Sequence, residues 1–316
     1  MNGIINVYKE PGYTSHDVVA KLRGILKQKK IGHTGTLDPD AAGVLPVCLG
    51  NATKVCDLLT DETKEYVALL HLGIVTDTYD LSGKMLSEEP EKAAAVTKEE
   101  LQKALLSFTG TIEQIPPMYS AIKVDGKKLY ELARKGIEVE RKPRTVTIER
   151  LELLSGENTT FRLRIVCSKG TYIRSLCHDI GQVLGCGGAM EELLRTRVGR
   201  FTIEDAVKLS VIEDAAHKIS ISPETDITEL GLHKSIIQAD GIFEDRPAFF
   251  VTPAGDRALK NGNQLSSDML DLKRSGTEAP SKEREYRIYD PEGRFCGLYL
   301  YKKEWGVLTP VKMFLS

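Results

Sequence analysis

The chain has 316 residues, 41% hydrophobic and 28% charged, with 43 basic against 45 acidic side chains and a formal net charge of -2. That composition belongs to a folded protein of one large or two smaller domains and excludes a disordered segment or a strongly basic nucleic-acid coat. No apolar run approaches the roughly 18 residues that span a bilayer, and residues 1–12 have neither a basic nor an apolar leader region, so the reading is a soluble cytoplasmic protein without membrane contact.

Ile4 to Tyr8 reads as a short strand that Pro11-Gly12 ends in a turn. Thr14-Ser15 caps a helix whose Val18, Val19, Leu22, Ile25 and Leu26 fall on one face, and Lys27 to Lys30 close it at the negative end of its dipole. Ile31 to Asn51 is rich in Gly and Pro and reads as a loop followed by the buried strand Val44 to Leu49. A short helix over Thr53 to Leu59 and a strand over Lys64 to Ile74 follow, the latter entering the turn Thr76 to Asp80. Thr97 to Glu100 is a capping box for a helix carrying Leu101, Leu105 and Phe108, stopped by Gly110.

Ile115-Pro116-Pro117 cannot sit inside a helix, Asp125-Gly126 signals a hairpin, and Leu129 to Lys135 is a short basic helix. Val146 and Ile148, then Phe161, Leu163, Ile165 and Cys167, mark two half-exposed strands. Thr171 to Leu184 is helical, and Gly185 to Gly188 breaks it. Residues 246–316 change character, with strands over Arg287 to Tyr289 and Cys296 to Tyr301 around the turn Asp290 to Gly293, which predicts a small separate β domain. Six cysteines form no CxxC pair and no zinc-ligand spacing, so they read as reduced buried thiols, with no disulfide framework and no metal.

The net charge is unevenly placed: +2 over residues 1–202, -7 over 203–245 and +3 over 246–316. An acidic connector thus conceals two mildly basic parts, and a nucleic-acid partner becomes admissible. Clusters such as Lys27, Lys29 and Lys30, or Arg141, Lys142 and Arg144, could contact phosphate; the plainer reading of each is a solvated face.

The stretch Ile31 to Leu45, with His33, Asp38 and Asp40 among glycines, lacks the order of a P-loop or a dinucleotide fingerprint. Its two carboxylates fit a Mg²⁺ phosphotransferase, a glycosidase-like pair, or a plain turn. Gly32 to Val47 resembles the signature of the TruB family of tRNA pseudouridine-55 synthases. Three further family blocks recur in order: Lys9 to Ser15, Lys64-Glu65-Tyr66 leading to Thr76-Asp77-Thr78, and Cys167 to Arg174, so that the resemblance covers about residues 1 to 200. Glu10 departs from the proline usual after the lysine of the first block.

The resemblance implies an α+β pseudouridine synthase fold, with a central mixed, mostly antiparallel sheet flanked by helices and a small PUA-like domain at the C-terminus. It assigns 1–245 to catalysis, 116–150 to an RNA-contacting insertion, 203–245 to the acidic connector and 246–316 to the PUA-like domain. It implies isomerisation of uridine 55 in the T loop of tRNA by base flipping, cleavage of the glycosidic bond and formation of a C-glycoside, by a monomer without cofactor or metal. Asp38 matches the catalytic aspartate, which attacks the ribose or assists formation of a glycal. Arg174 matches the arginine that holds that carboxylate in its ionised form, and Tyr66 the tyrosine against the target base. His33 matches the histidine that enters the T loop in place of the extruded bases. Tyr172 and Leu193 match pocket-lining positions, while Lys9 and Lys54 are candidates for contacting RNA phosphate or supporting the site. Two alternatives of other classes are a noncatalytic tRNA-binding or RNA-folding protein and a metal-dependent phosphotransferase using Asp38, Asp40, Asp77 and Asp80.

Overall fold

Along strand Lys64–Leu72 buried and half-buried residues alternate without a break, so Tyr66, Ala68, Leu70 and Leu72 enter one core while their neighbours face the other side. This strand is an inner member of a ten-stranded sheet in a computed structural model that describes residues 1–219, 221 and 225–315. Eight strands follow one another across the sheet in the order Ile236–Ile237, Gly3–Lys9, Ala42–Leu49, Gly188–Val198, Lys64–Leu72, Thr160–Cys167, Arg144–Glu157 and Gly110–Gln114. Neighbours on this path are antiparallel except Ala42–Leu49 and Gly188–Val198, which run parallel through Leu194 opposite Ala42 and Arg195 opposite Gly43. The fold is therefore the mixed, mostly antiparallel α+β sheet that the sequence implies.

Two of the elements that differ from expectation bear on the site. Ile31–His33 is a strand paired to Ala42–Leu49, so His33 leaves the sheet edge rather than a free loop. Gly188–Val198, an inner strand, gives no strand signal in sequence: Glu191 to Arg195 is a run of good helix formers, and pairing on both sides overrides that propensity.

Helix Ser15–Ile25 begins as its sequence requires, with the Thr14 side chain accepting from Asp17 N and the Asp17 carboxylate accepting from Thr14 N. Its buried Val18, Val19 and Leu22 share a core with Leu209, Ile212 and Ala216 of helix Leu209–His217. The acidic segment is thus built into the fold, since Tyr8 N donates to Val207 O at 2.8 Å and Val207 N to Asn6 O at 2.9 Å. Helix Ile173–Val183 lies against strand Gly188–Val198 so closely that a Cβ on Gly181 would come within 2.1 Å of Gly188 N.

A second sheet of five strands uses residues 248–313. It does not stand apart: Leu298 and Phe314 share a core with Ile4, Val44, Val198, Phe201 and Phe243. All six cysteines are free. Among the described residues no helix is long and apolar enough to cross a membrane.

Candidate active site

The loop that carries Asp38 is fastened from beneath. The buried Ser15 hydroxyl accepts from Leu37 N at 2.9 Å and donates to Leu37 O at 3.3 Å, and Gly12 N donates to Pro39 O at 3.0 Å. Lys9 is fully buried, and its ammonium donates to Tyr13 O at 2.6 Å, Pro39 O at 2.9 Å and Glu10 O at 3.2 Å. Burial pushes its pKa down to about 8, partly offset by the charges of Asp38 and Asp40. Of the two roles admitted for Lys9, contact with RNA phosphate is thereby corrected: its donors are committed to carbonyls that shape the Asp38 loop. Glu10, the departure from the family pattern, reaches Lys208 at 3.3 Å.

Arg174 is the second residue of helix Ile173–Val183, whose start is held by the Gln114 side chain: its oxygen accepts from Tyr172 N at 2.8 Å and its amide donates to Tyr172 O at 3.0 Å. Arg174 is 6% exposed, and its guanidinium takes the Asp38 carboxylate at two points, with Nε at 2.9 Å from Oδ2 and Nη2 at 3.2 Å from Oδ1. It also lies 3.5 Å from Asp80 Oδ2 and donates to Thr78 O at 3.2 Å and Tyr119 O at 3.0 Å. This fork fixes the plane of the Asp38 carboxylate, while the Asp38 side chain stays 36% exposed and open to a ligand.

Tyr66 is buried, with Arg195 directly opposite on the neighbouring strand. Burial raises the pKa of its phenol, and the charge of Arg195 works against that rise. Arg195 is 2% exposed and donates to Val44 O at 2.7 Å and Thr36 O at 3.3 Å. It lies against Gly43, whose backbone has φ +115° and where a Cβ would come within 2.1 Å of Arg195 O. Lys64, another buried cation, donates to Thr60 O and Glu62 O, both at 2.5 Å, and burial pushes its pKa to about 8.

His33 is half-buried at the end of its strand, its Nδ1 accepting from Gly35 N at 3.3 Å and its ring edge-on to exposed His16 at 5.4 Å. Burial, then His16, lowers its pKa, which keeps the imidazole neutral and suited to stacking. Tyr172 is half-buried with its pKa raised by burial, and Leu193 packs against the core that holds Tyr66 and Ile173. Lys54 belongs elsewhere: its ammonium donates to Met313 O at 2.8 Å and ties the segment after strand Ala42–Leu49 to the five-stranded sheet, a supporting role.

Reasoning from sequence missed Arg195, Gln114, Ser15 and the role of Asp80. Arg195 offers no signal in sequence, since Glu191 to Arg195 reads as helix and a register shift between Arg195 and Arg197 breaks the strand alternation. The metal reading fails on geometry, because Asp38 and Asp80 share an arginine where a cation would have to sit and Asp77 accepts from Lys84 N at 2.8 Å. Among the described residues the acidic group close enough for a metal is Asp256, Asp290 and Glu292 in the C-terminal sheet, which Lys260 and Arg294 already neutralise.

Residues 23–173 match the family model for the N-terminal domain of TruB family pseudouridylate synthases, and residues 174–236 that for the C-terminal domain of tRNA pseudouridylate synthase B. Proteins named tRNA pseudouridine synthase B from Lachnoclostridium phytofermentans and Bacillus anthracis are 49% and 41% identical, covering 100% of this chain in both cases and 100% and 98% of their own lengths. The one from Clostridium perfringens strain 13 is 45% identical over 94% of each chain. Among solved structures, a chain of an H/ACA RNP bound to a substrate RNA containing 2'-deoxyuridine superposes with a TM-score of 0.67 at 27% identity, over 99% of this chain and 85% of that one. A chain of a Cbf5-Nop10-Gar1 complex does so at 0.67 and 28%, with the same coverage.

Proposed function

The chain belongs to the TruB family of pseudouridylate synthases, and we propose that it isomerises uridine 55 in the T loop of tRNA to pseudouridine. The observation that carries this reading is the Asp38 carboxylate, forked by Arg174 at 2.9 and 3.2 Å yet open to a ligand on its free side. In the reaction the bond from N1 to the sugar breaks, the base turns, carbon 5 bonds to the sugar and loses its proton, and N1 gains one; nothing is oxidised or reduced. Asp38 acts on the sugar as nucleophile and charge stabiliser, because a carboxylate stabilises or traps an oxocarbenium-like carbon. Arg174 holds it in line. Tyr66, kept as the phenol by burial, offers its ring to the flipped base, and Tyr172 and Leu193 complete the pocket wall. His33 fills the gap left by the extruded bases in the tRNA elbow.

We propose further that the enzyme works in the cytoplasm as a monomer, with residues 1–245 as catalytic domain, 116–150 closing over the T arm and 246–316 as a PUA-like domain. Tyr119 of the 116–150 segment supports this closure, because its carbonyl touches Arg174. The test uses unmodified tRNA carrying tritium at carbon 5 of its uridines, with EDTA present. Wild type is expected to release tritium, and Asp38→Asn to lose on the order of a thousandfold or more in rate while still binding tRNA. A wild type that binds tRNA and releases no tritium overturns the reading.

A further inference from the structure

Tyr79 stands in the left-handed region at φ +64°, where an aromatic residue is held only if its surroundings compel it. The turn it occupies supplies two of the groups that grip Arg174: the Thr78 carbonyl at 3.2 Å and the Asp80 carboxylate at 3.5 Å. Asp80 is itself oriented, since its Oδ1 accepts from the hydroxyls of Thr78 at 2.7 Å and Ser82 at 2.6 Å, which leaves Oδ2 for Arg174. The backbone is fixed on one side by Met190, whose N donates to Tyr79 O at 3.0 Å and whose carbonyl accepts from Leu81 N at 3.0 Å.

On its other side the turn rests on one ring. Tyr79 stacks on His178 with centroids 4.0 Å apart and planes 13° from parallel. His178 lies four residues beyond Arg174 on the same helix, so both side chains project from one face, one turn apart. Its Nδ1 is buried with no hydrogen-bond partner among the described residues, so what the ring contributes here is its flat face.

We propose that His178 is a positioning residue: by stacking on Tyr79 it holds the left-handed turn that sets Asp80 and Thr78 on Arg174, and so aligns the Asp38 carboxylate. The role rests on the pseudouridine synthase reading for what Arg174 and Asp38 do. The helix that carries the arginine thus also carries the support for that arginine's second carboxylate.

The experiment compares wild type, His178→Ala, His178→Phe, Asp80→Asn and the double variant His178→Ala/Asp80→Asn by tritium release from tRNA and by tRNA affinity. His178→Ala is expected to lower kcat by about tenfold to a hundredfold, the scale on which a misplaced reacting group is felt, with tRNA affinity within about twofold. His178→Phe keeps a flat ring and is expected within about threefold of wild-type kcat. In the Asp80→Asn background, His178→Ala should add less than about twofold, because both act through one contact. If His178→Ala does not fold, His178→Leu, which keeps volume without a flat face, takes its place. Wild-type kcat in His178→Ala, equal losses in the Ala and Phe variants, or fully additive losses in the double variant overturns the proposal. A wild type that binds tRNA without releasing tritium overturns the reading beneath it, so the two failures are told apart.

Discussion

Lys9 and Arg195 are buried cations beneath the Asp38 loop and Lys64 is a third at the turn 60–62, all held by backbone carbonyls rather than by carboxylates. Such an arrangement has a cost, visible in both lysines having pKa values near 8 against an ordinary 10.5. Below pH 8 each lysine is charged in folded and unfolded chains alike. Between about pH 8 and 10.5 the unfolded chain holds the proton more often, so this contribution to stability rises with pH. Wild type is therefore expected to gain stability relative to Lys9→Met between pH 7.5 and 9.5, measured by urea melts at both values. At pH 7.5 the expected cost of Lys9→Met is about 1–3 kcal/mol, because carbonyls at Tyr13 and Glu10 lose their donor. Equal pH dependence in the two proteins would contradict the assignment. The four blocks that carry the resemblance are enough to bring Asp38, Tyr66 and Arg174 into view without a fold. Burial is not legible in them, since a Lys that contacts phosphate and a Lys sealed under a loop are the same letter in the same motif.

At the scale of elements, the two pairings of Gly188–Val198 set the site: the parallel one with Ala42–Leu49 places Gly43 against Arg195, and the antiparallel one with Lys64–Leu72 places Tyr66 opposite it. Gly43→Ala meets backbone at 2.1 Å as well as a disfavoured φ of +115°, whereas Gly12→Ala meets only a disfavoured φ of +86° in open space. The expected losses in chemical melts are about 3 kcal/mol or more for the first and about 1 kcal/mol for the second. Similar losses at both would show that crowding by Arg195 is relieved by movement. Gly188–Val198 is also the least legible part of the fold, because an inner slot between two distant segments selects conformation by pairing and overrides local preference. Helix Ser15–Ile25 is legible for the opposite reason: cap, apolar face and terminal cations all lie within or beside its own residues. In the 116–150 segment, Asp125 and Gly126 both have positive φ, as the Asp-Gly signal implies for a two-residue hairpin. Its Arg141 is turned inward onto Pro116 O at 3.2 Å, so the cations that the proposed closure would use are chiefly Lys123, Lys127, Lys128, Arg134, Lys135, Lys142 and Arg144. Amide hydrogen exchange over 116–150 is expected to slow when tRNA is added, and unchanged exchange would argue against closure by this segment.

For the whole molecule, the net charge of -2 says little, because the negative excess lies in a segment that packs as helix and edge strand against the first helix and first strand. If the C-terminal sheet adds phosphate contacts, changing Lys302 and Lys303 to Gln should flatten the salt dependence of tRNA binding by up to about 0.7–0.9 for each phosphate no longer neutralised. An unchanged slope would confine RNA binding to the rest of the chain. Ending the chain at Asp245 is a poorer probe, since it would uncover Ile4, Val44, Val198 and Phe201, which Leu298 and Phe314 now cover. That shared core also has a meaning in time. Ile4 is made some 310 residues before Phe314, and at about 5–20 residues per second roughly 15 to 60 seconds separate them. Throughout that interval the growing chain presents an unsealed apolar seam, and the strands that carry Ile4 and Val44 depend on chaperones or on provisional packing until Leu298 and Phe314 arrive to close it.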